Sequence, residues 1–183
     1  MKKCLLILIL LTNNAVAEVK SSIIKNLKNI NNISFEFEQN INGKIEKGNC
    51  TIEYPKKIFC SYNFDNKILV SNGRYLVIKT YNNILYRYSL ERTPLKYILD
   101  KNFLINEIQN LEEKIIDGKF INFKILKDDN EINIFFNSTN YNLIGWQTLD
   151  IYQNLSITYI SSLKINQLLK KNILNCLLQI KFQ

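Results

Sequence analysis

Two short breaks in an otherwise apolar stretch constrain this chain more than any other feature. Between Lys67 and Leu99 it reads KILVSNGRYLVIKTYNNILYRYSLERTPLKYIL, three apolar runs parted by Asn72-Gly73 and Asn82-Asn83. Asn-Gly supplies the positive φ angles of a two-residue type I′ turn, so the first break predicts a tight hairpin. Asn-Asn tolerates left-handed backbone almost as well and predicts a second turn. The stretch closes on Thr93-Pro94. Thr93 suits a helix N-cap, Pro94 sits at the permitted first position, and Leu95, Ile98 and Leu99 share one face. A meander of strands handing over to a short amphipathic helix is the unit that organises the rest.

The same punctuation recurs on both sides. Val19, Ile23, Ile24, Leu27 and Ile30 form a helical stripe ended by Asn31-Asn32. From there the period drops to two: Ile33, Phe35 and Phe37 alternate with Ser34, Glu36 and Glu38. Asn42-Gly43 predicts another hairpin, followed by a strand from Ile45 to Tyr54, a turn at Tyr54-Pro55-Lys56-Lys57, and a return through Ile58, Cys60 and Tyr62. Lys101 to Asn110 fits either a helix or an edge strand. Asp117-Gly118 and Asp128 to Asn130 read as turns bounding strands at Lys119 to Leu126 and Glu131 to Phe136. Further strands are expected at Leu143 to Ile151, Leu155 to Ile160 and Leu177 to Phe182. The economical account is an α+β domain, one antiparallel sheet of about ten short strands with two or three helices.

At 183 residues the chain is one domain long. Lys2-Lys3, the apolar Cys4 to Leu11 and the small residues Ala15-Val16-Ala17 have the pattern of a cleaved signal peptide over residues 1–17. That leaves a single exported domain from Glu18 to residue 183, with no later segment apolar enough to span a bilayer as a helix. Cys4 lacks the small residues that precede a lipid-modified cysteine. Removing Lys2 and Lys3, with no acid before Glu18, lowers the net charge from +8 to +6. The lysines are spread out, which fits a solvated basic surface or attraction to anionic lipid or acidic cargo. Cys50 and Cys60 lie equidistant from the Pro55 turn on facing strands. In an oxidising compartment they either form a disulfide, adding at most about 2–3 kcal/mol across so short a loop, or remain two buried thiols. Cys176 is left over.

Catalysis has little to work with. The chain has no histidine, which removes Ser-His and Cys-His nucleophile pairs and most zinc sites. Glu112-Glu113 and Asp128-Asp129 are adjacent pairs whose side chains point apart. No Gly-rich phosphate loop occurs among the five glycines. Neither an enzyme, nor a metal or cofactor site, nor a nucleic-acid surface is expected. What remains is the apolar alternation. A sheet with one apolar face closes into a barrel, packs on a second sheet, or keeps a cavity roofed by helices for an apolar ligand.

In order and spacing these segments resemble the periplasmic outer-membrane lipoprotein carrier family (LolA-like), over nearly all of the sequence after residue 17. The residues that carry the resemblance are Phe37-Glu38-Gln39, the Gly48 to Pro55 strand with its Ile58 to Tyr62 return, Leu69-Val70-Ser71-Asn72-Gly73 before Tyr75 to Ile78, and Thr93-Pro94. Gly145-Trp146, Asp150 and the segment Asn154 to Tyr159 match a later part more weakly. The resemblance implies an incomplete antiparallel β-barrel of about ten or eleven strands, with two or three short helices lidding a hydrophobic cavity. It implies a soluble periplasmic monomer taking acylated lipoproteins from an inner-membrane lipoprotein-releasing ABC transporter to an outer-membrane lipoprotein receptor. The alternative is a periplasmic lipid-sensing or regulatory protein-binding module on the same fold. Inward alternation puts Ile33, Phe37, Cys50, Ile52, Tyr54, Ile58, Leu69, Leu76 and Ile78 on the cavity face. Thr93, Pro94, Leu95, Ile98 and Leu99 form the lid. Where the family has an arginine that ties lid to barrel, this chain has Tyr54, one hydroxyl donor in place of five N–H donors. Either the latch is built differently, with Tyr54 helping to form it, or the ligand is bound without the same open–closed cycle.

Overall fold

A computed structural model describes residues 18–64, 66–150 and 152–168. The expected signal peptide, Cys176 and the strand expected at Leu177 to Phe182 lie outside the described residues. A helix over residues 18–29 (α1) leads into six strands: β1 (Asn32–Ile41), β2 (Lys44–Glu53), β3 (Lys57–Tyr62), β4 (Ile68–Asn72), β5 (Tyr75–Lys79) and β6 (Leu85–Ser89). A 3₁₀ turn (Leu90–Arg92), α2 (Leu95–Ile98) and α3 (Lys101–Asn110) follow. The chain then runs through β7 (Lys114–Ile116), β8 (Phe120–Lys127), β9 (Asn130–Asn137), β10 (Leu143–Leu149) and β11 (Leu155–Ile165).

All eleven strands form one antiparallel sheet in the order β6-β5-β4-β3-β2-β1-β11-β10-β9-β8-β7. Two meanders are therefore joined at their centre by β1 against β11, from Ile33 opposite Ile165 to Ile41 opposite Ser156. The sheet does not close. Its edge strands, β6 and β7, are consecutive in the chain, and the 3₁₀ turn, α2 and α3 connect them. This is the incomplete barrel with short helices that was expected.

Turn chemistry explains the strand breaks, with one correction. Asn42 and Gly43 both have positive φ (50° and 88°) between Ile41 and its partner Lys44, the pattern of a type I′ turn. At Asn72-Gly73 the hairpin forms one residue later. Ser71 faces Leu76, Gly73 alone has positive φ (+94°), and the Asn72 carboxamide oxygen accepts from the N–H groups of Arg74 and Tyr75. That is the φ pattern of a type II′ turn with glycine first, not type I′. Asn83 (φ 63°) turns β5 into β6, and Asp128-Asp129 (φ 47° and 60°) turn β8 into β9.

One further expectation is revised and one open alternative is resolved. Thr93 does not cap α2 with its side chain; its hydroxyl donates back to the Leu90 carbonyl (2.9 Å), finishing the 3₁₀ turn. Lys101 to Asn110 resolves as a helix, because Asp100 accepts from the Phe103 N–H (3.1 Å) as a true N-cap and Leu104, Ile105 and Ile108 then share a buried stripe.

The inward faces of β8 and β9 are packed solid. Ile121, Phe123, Ile125, Ile132, Ile134 and Phe136 are each at most 1% exposed, and the two phenylalanine rings meet edge to face at 6.1 Å.

Candidate functional site

The other half of the sheet is hollow. A cavity of about 220 Å³ lies between the inward faces of β1 to β5, those of β10 and β11, and the approach to α2. β1 shows how one strand passes from core to cavity. Ile33 and Phe35 are buried in the packed core, Phe37 stands at the boundary, and Gln39 and Ile41 continue the same parity into the open space. Gly48 makes room for Phe37: a methyl group there would meet a Phe37 ring carbon at 2.8 Å and collide with the Ser61 carbonyl. The Phe37 ring is thereby set edge to face on Tyr62, at 5.0 Å.

The expected residues divide. Phe37, Cys50, Ile58, Leu69, Leu76 and Ile78 line the cavity, and Thr93, Pro94 and Leu95 line it from the lid side. Ile33 and Ile52 are opposite one another in register and fully buried in packed core, off the cavity lining. Ile98 and Leu99 are likewise at 1% and 0% exposure in the core, so only the first turn of α2 faces the hollow. Tyr54 is half-buried and outside the lining, and burial pushes its phenol well above the ordinary range. Cys50 and Cys60 face each other across β2 and β3 and are joined by a disulfide that forms part of the cavity wall.

The lid is held by bonds the sequence did not single out. The Lys56 N–H donates to the Leu99 carbonyl (2.8 Å), and the Lys56 ammonium pairs with Glu91 (2.9 Å). On the other side the Tyr97 hydroxyl donates to the Asp128 carboxylate (2.6 Å), which Lys96 also reaches at 3.3 Å. Those two donors, Tyr97 foremost, hold the Asp128 carboxyl below the usual carboxylate range. The Tyr54 N–H donates to the Asn31 carbonyl (2.9 Å); the lid contacts run through Lys56, Lys96 and Tyr97.

The wall facing the disulfide has a different character. On β11 the alternation is inverted: Leu155 and Tyr159 point out, 43% and 57% exposed, while Ser156 and Thr158 point in at 4% each. Thr148 of β10 is directly opposite Ser156, and Gln39 of β1 is opposite Thr158. The Gln39 amide nitrogen lies 2.9 Å from the Ser156 hydroxyl and 3.3 Å from that of Thr158. Trp146, set edge to face against Phe35 at 6.2 Å, bounds this patch. At the rim Lys67 pairs with Glu46 and lies 4.0 Å over the Tyr62 ring. Burial raises the Glu46 pKa, but Lys67 and Lys44 outweigh it and leave the carboxyl below its usual range. The Tyr88 and Tyr152 hydroxyls meet at 3.1 Å between β6 and the β10–β11 turn.

Sequence reasoning missed Gln39, Thr148, Ser156 and Thr158. The parity of β1 carries Gln39 inward after Phe37, but polar residues in alternation normally mark the wet face, and on β11 that rule points the wrong way. Among the described residues no helix is long and apolar enough to cross a membrane, and no cluster of three or more His, Cys, Asp or Glu is arranged to hold a metal ion.

No family model matches the chain, and no curated protein matches it. Among solved structures it is similar in fold to LprF from Mycobacterium bovis, with 11% identity, 85% of this chain and 95% of that one covered, and a TM-score of 0.47. A putative outer membrane lipoprotein-sorting protein domain from Vibrio parahaemolyticus aligns at 8% identity over 89% and 97% of the two chains, with a TM-score of 0.46. A LolA superfamily protein from Nitrosomonas europaea aligns at 9% identity over 84% and 96%, with a TM-score of 0.43.

Proposed function

We propose that this chain is a lipid carrier that shelters acyl chains in the cavity beneath α2, with acylated lipoproteins as its cargo. One observation carries the reading: an apolar hollow is kept open inside a domain whose other half is packed solid. Keeping it costs packing contacts that the β8–β9 half retains, and a ligand repays such a cost. At about 220 Å³ the cavity is smaller than the roughly 300–1,000 Å³ usual for small-ligand sites, so acyl cargo enters only as the lid moves. The lid is suited to that. α2 is four residues long, and it is tied to the β2–β3 and β8–β9 turns by a handful of polar contacts.

Each buried CH₂ contributes about 0.8 kcal/mol, so acyl chains do not cross water unprotected. A carrier must also let go, which favours an openable cavity over deep fixed packing. In this reading the protein is exported to the periplasm, receives lipoproteins from an inner-membrane releasing transporter and delivers them towards the outer membrane. The decisive experiment is depletion in the native host. Acylated lipoproteins are expected to accumulate at the inner membrane. Their normal distribution, together with protein that carries no acylated molecule by native mass spectrometry, would overturn the proposal.

A further inference from the structure

The polar patch on the cavity wall goes beyond a general affinity for acyl chains. We propose that Gln39, Ser156 and Thr158 form a subsite for the ester carbonyls of the ligand, so that the cavity selects acyl esters over hydrocarbon chains of equal length. The inference rests on the lipid-carrier reading and adds to it a chemical class of ligand.

The inverted alternation of β11 is the first ground. Its apolar Leu155 and Tyr159 stand in solvent while Ser156 and Thr158 are buried, and burying hydroxyls costs free energy that an apolar side chain avoids. Hydrogen-bond accounting is the second. With the amide nitrogen of Gln39 towards the two hydroxyls, its two hydrogens go to their oxygens, and among the described residues neither hydroxyl hydrogen has an acceptor. With the amide flipped, its oxygen accepts from both hydroxyls and its two N–H hydrogens are left over. Either orientation leaves two donors beside the cavity. Thr148 supplies no further donor, because its hydroxyl is spent on the Leu149 carbonyl (3.0 Å).

Two adjacent neutral donors in a largely apolar pocket define their ligand closely. A plain hydrocarbon leaves both unpaired, which buried groups avoid. A free carboxylate needs a countercharge, and the cation at the rim, Lys67, is already paired with Glu46. Neutral oxygens that only accept, set where acyl chains begin, satisfy both donors. The ester carbonyls of a diacylglyceryl group have this character, with their chains against Ile58, Leu69, Leu76 and Leu95.

The test compares a dipalmitoylglyceryl-cysteine peptide with its dialkyl ether analogue, in which both carbonyls are absent, by displacement of a fluorescent fatty probe. Wild-type protein is expected to bind the ester about tenfold more tightly, as two added hydrogen bonds predict. In Ser156→Ala/Thr158→Val the two ligands are expected to bind alike, with hydrocarbon affinity retained; Gln39→Leu provides a second route to the same loss. Equal binding of ester and ether by the wild type overturns the subsite and leaves the carrier reading standing. Undiminished ester preference in both variants overturns the assignment to these residues. Failure of the wild type to bind either ligand overturns the carrier reading and the subsite with it.

Discussion

The two halves of this sheet are written in the same period-two pattern, yet one is solid and the other hollow. On β8 and β9 each successive inward position is isoleucine or phenylalanine, and the six side chains reach near-zero exposure. On β1, β10 and β11 the inward row passes through Gln39, Thr148, Ser156 and Thr158. Alternation decides which way a side chain points; volume and polarity decide whether space remains once it has pointed there. A filled half gives the domain its stability, and an unfilled half leaves the room that the proposed ligand would take.

The sharpest way to break this contrast is to hollow the solid half. Phe123→Ala is expected to destabilise the protein by about 3–5 kcal/mol, read from the midpoint of chemical denaturation. A loss below 1 kcal/mol would show that β8–β9 is not the anchor. Next in size is the disulfide in the cavity wall. Replacing Cys50 and Cys60 together by serine is expected to cost up to about 2–3 kcal/mol in the same measurement, since the loop it closes is short.

Leu95→Glu tests the hollow half itself. It is expected to abolish lipid retention in mild extracts while costing less stability than Phe123→Ala, because the Leu95 side chain is only partly buried, between the core and the cavity. Retained lipid would remove α2 from the site. The smallest effect concerns the rim. The Glu46 carboxyl has a lowered pKa when folded, so its pairing with Lys67 is fully present above the ordinary carboxylate pKa and is lost as pH falls through the lowered value. Thermal midpoints followed into that acid range are expected to fall more steeply in the wild type than in Glu46→Gln. Parallel curves would mean the pair contributes nothing.

Much of the architecture was legible because its breaks are chemical. Asn42-Gly43 and Asp128-Asp129 need left-handed backbone and obtain it, and the strands between such points follow. The short β7 and the extension of β11 to Ile165 were not legible, since Lys114–Ile116 is too brief to show a period and Ser161-Ser162 interrupts one. The type of the Asn72-Gly73 turn was misread because a dipeptide names the residues available without naming which two occupy the corner. Within the site, the apolar wall was readable from inward alternation at Phe37, Cys50, Ile58, Leu69, Leu76 and Ile78. The polar wall was not, because Ser156 and Thr158 face inward against the rule that polar residues face water. The tie at Lys56 was not legible for another reason: it reaches the Leu99 carbonyl through a backbone N–H, and no side-chain pattern announces that bond.

The meeting of β1 and β11 at the middle of the sheet has a consequence for the order in which the molecule assembles. Each meander is built from neighbours in sequence and can zip locally, but the seam from Ile33 to Ile165 waits for the last strand described. Non-local pairing of this kind is the slow part of β-sheet folding. Until β11 arrives, β1 offers a long free edge able to accept any passing strand. The same late seam brings Ser156 and Thr158 beside Gln39, so the polar wall of the cavity comes into being only at the closing step. A partly synthesised or truncated chain would own the greasy wall without the discriminating one.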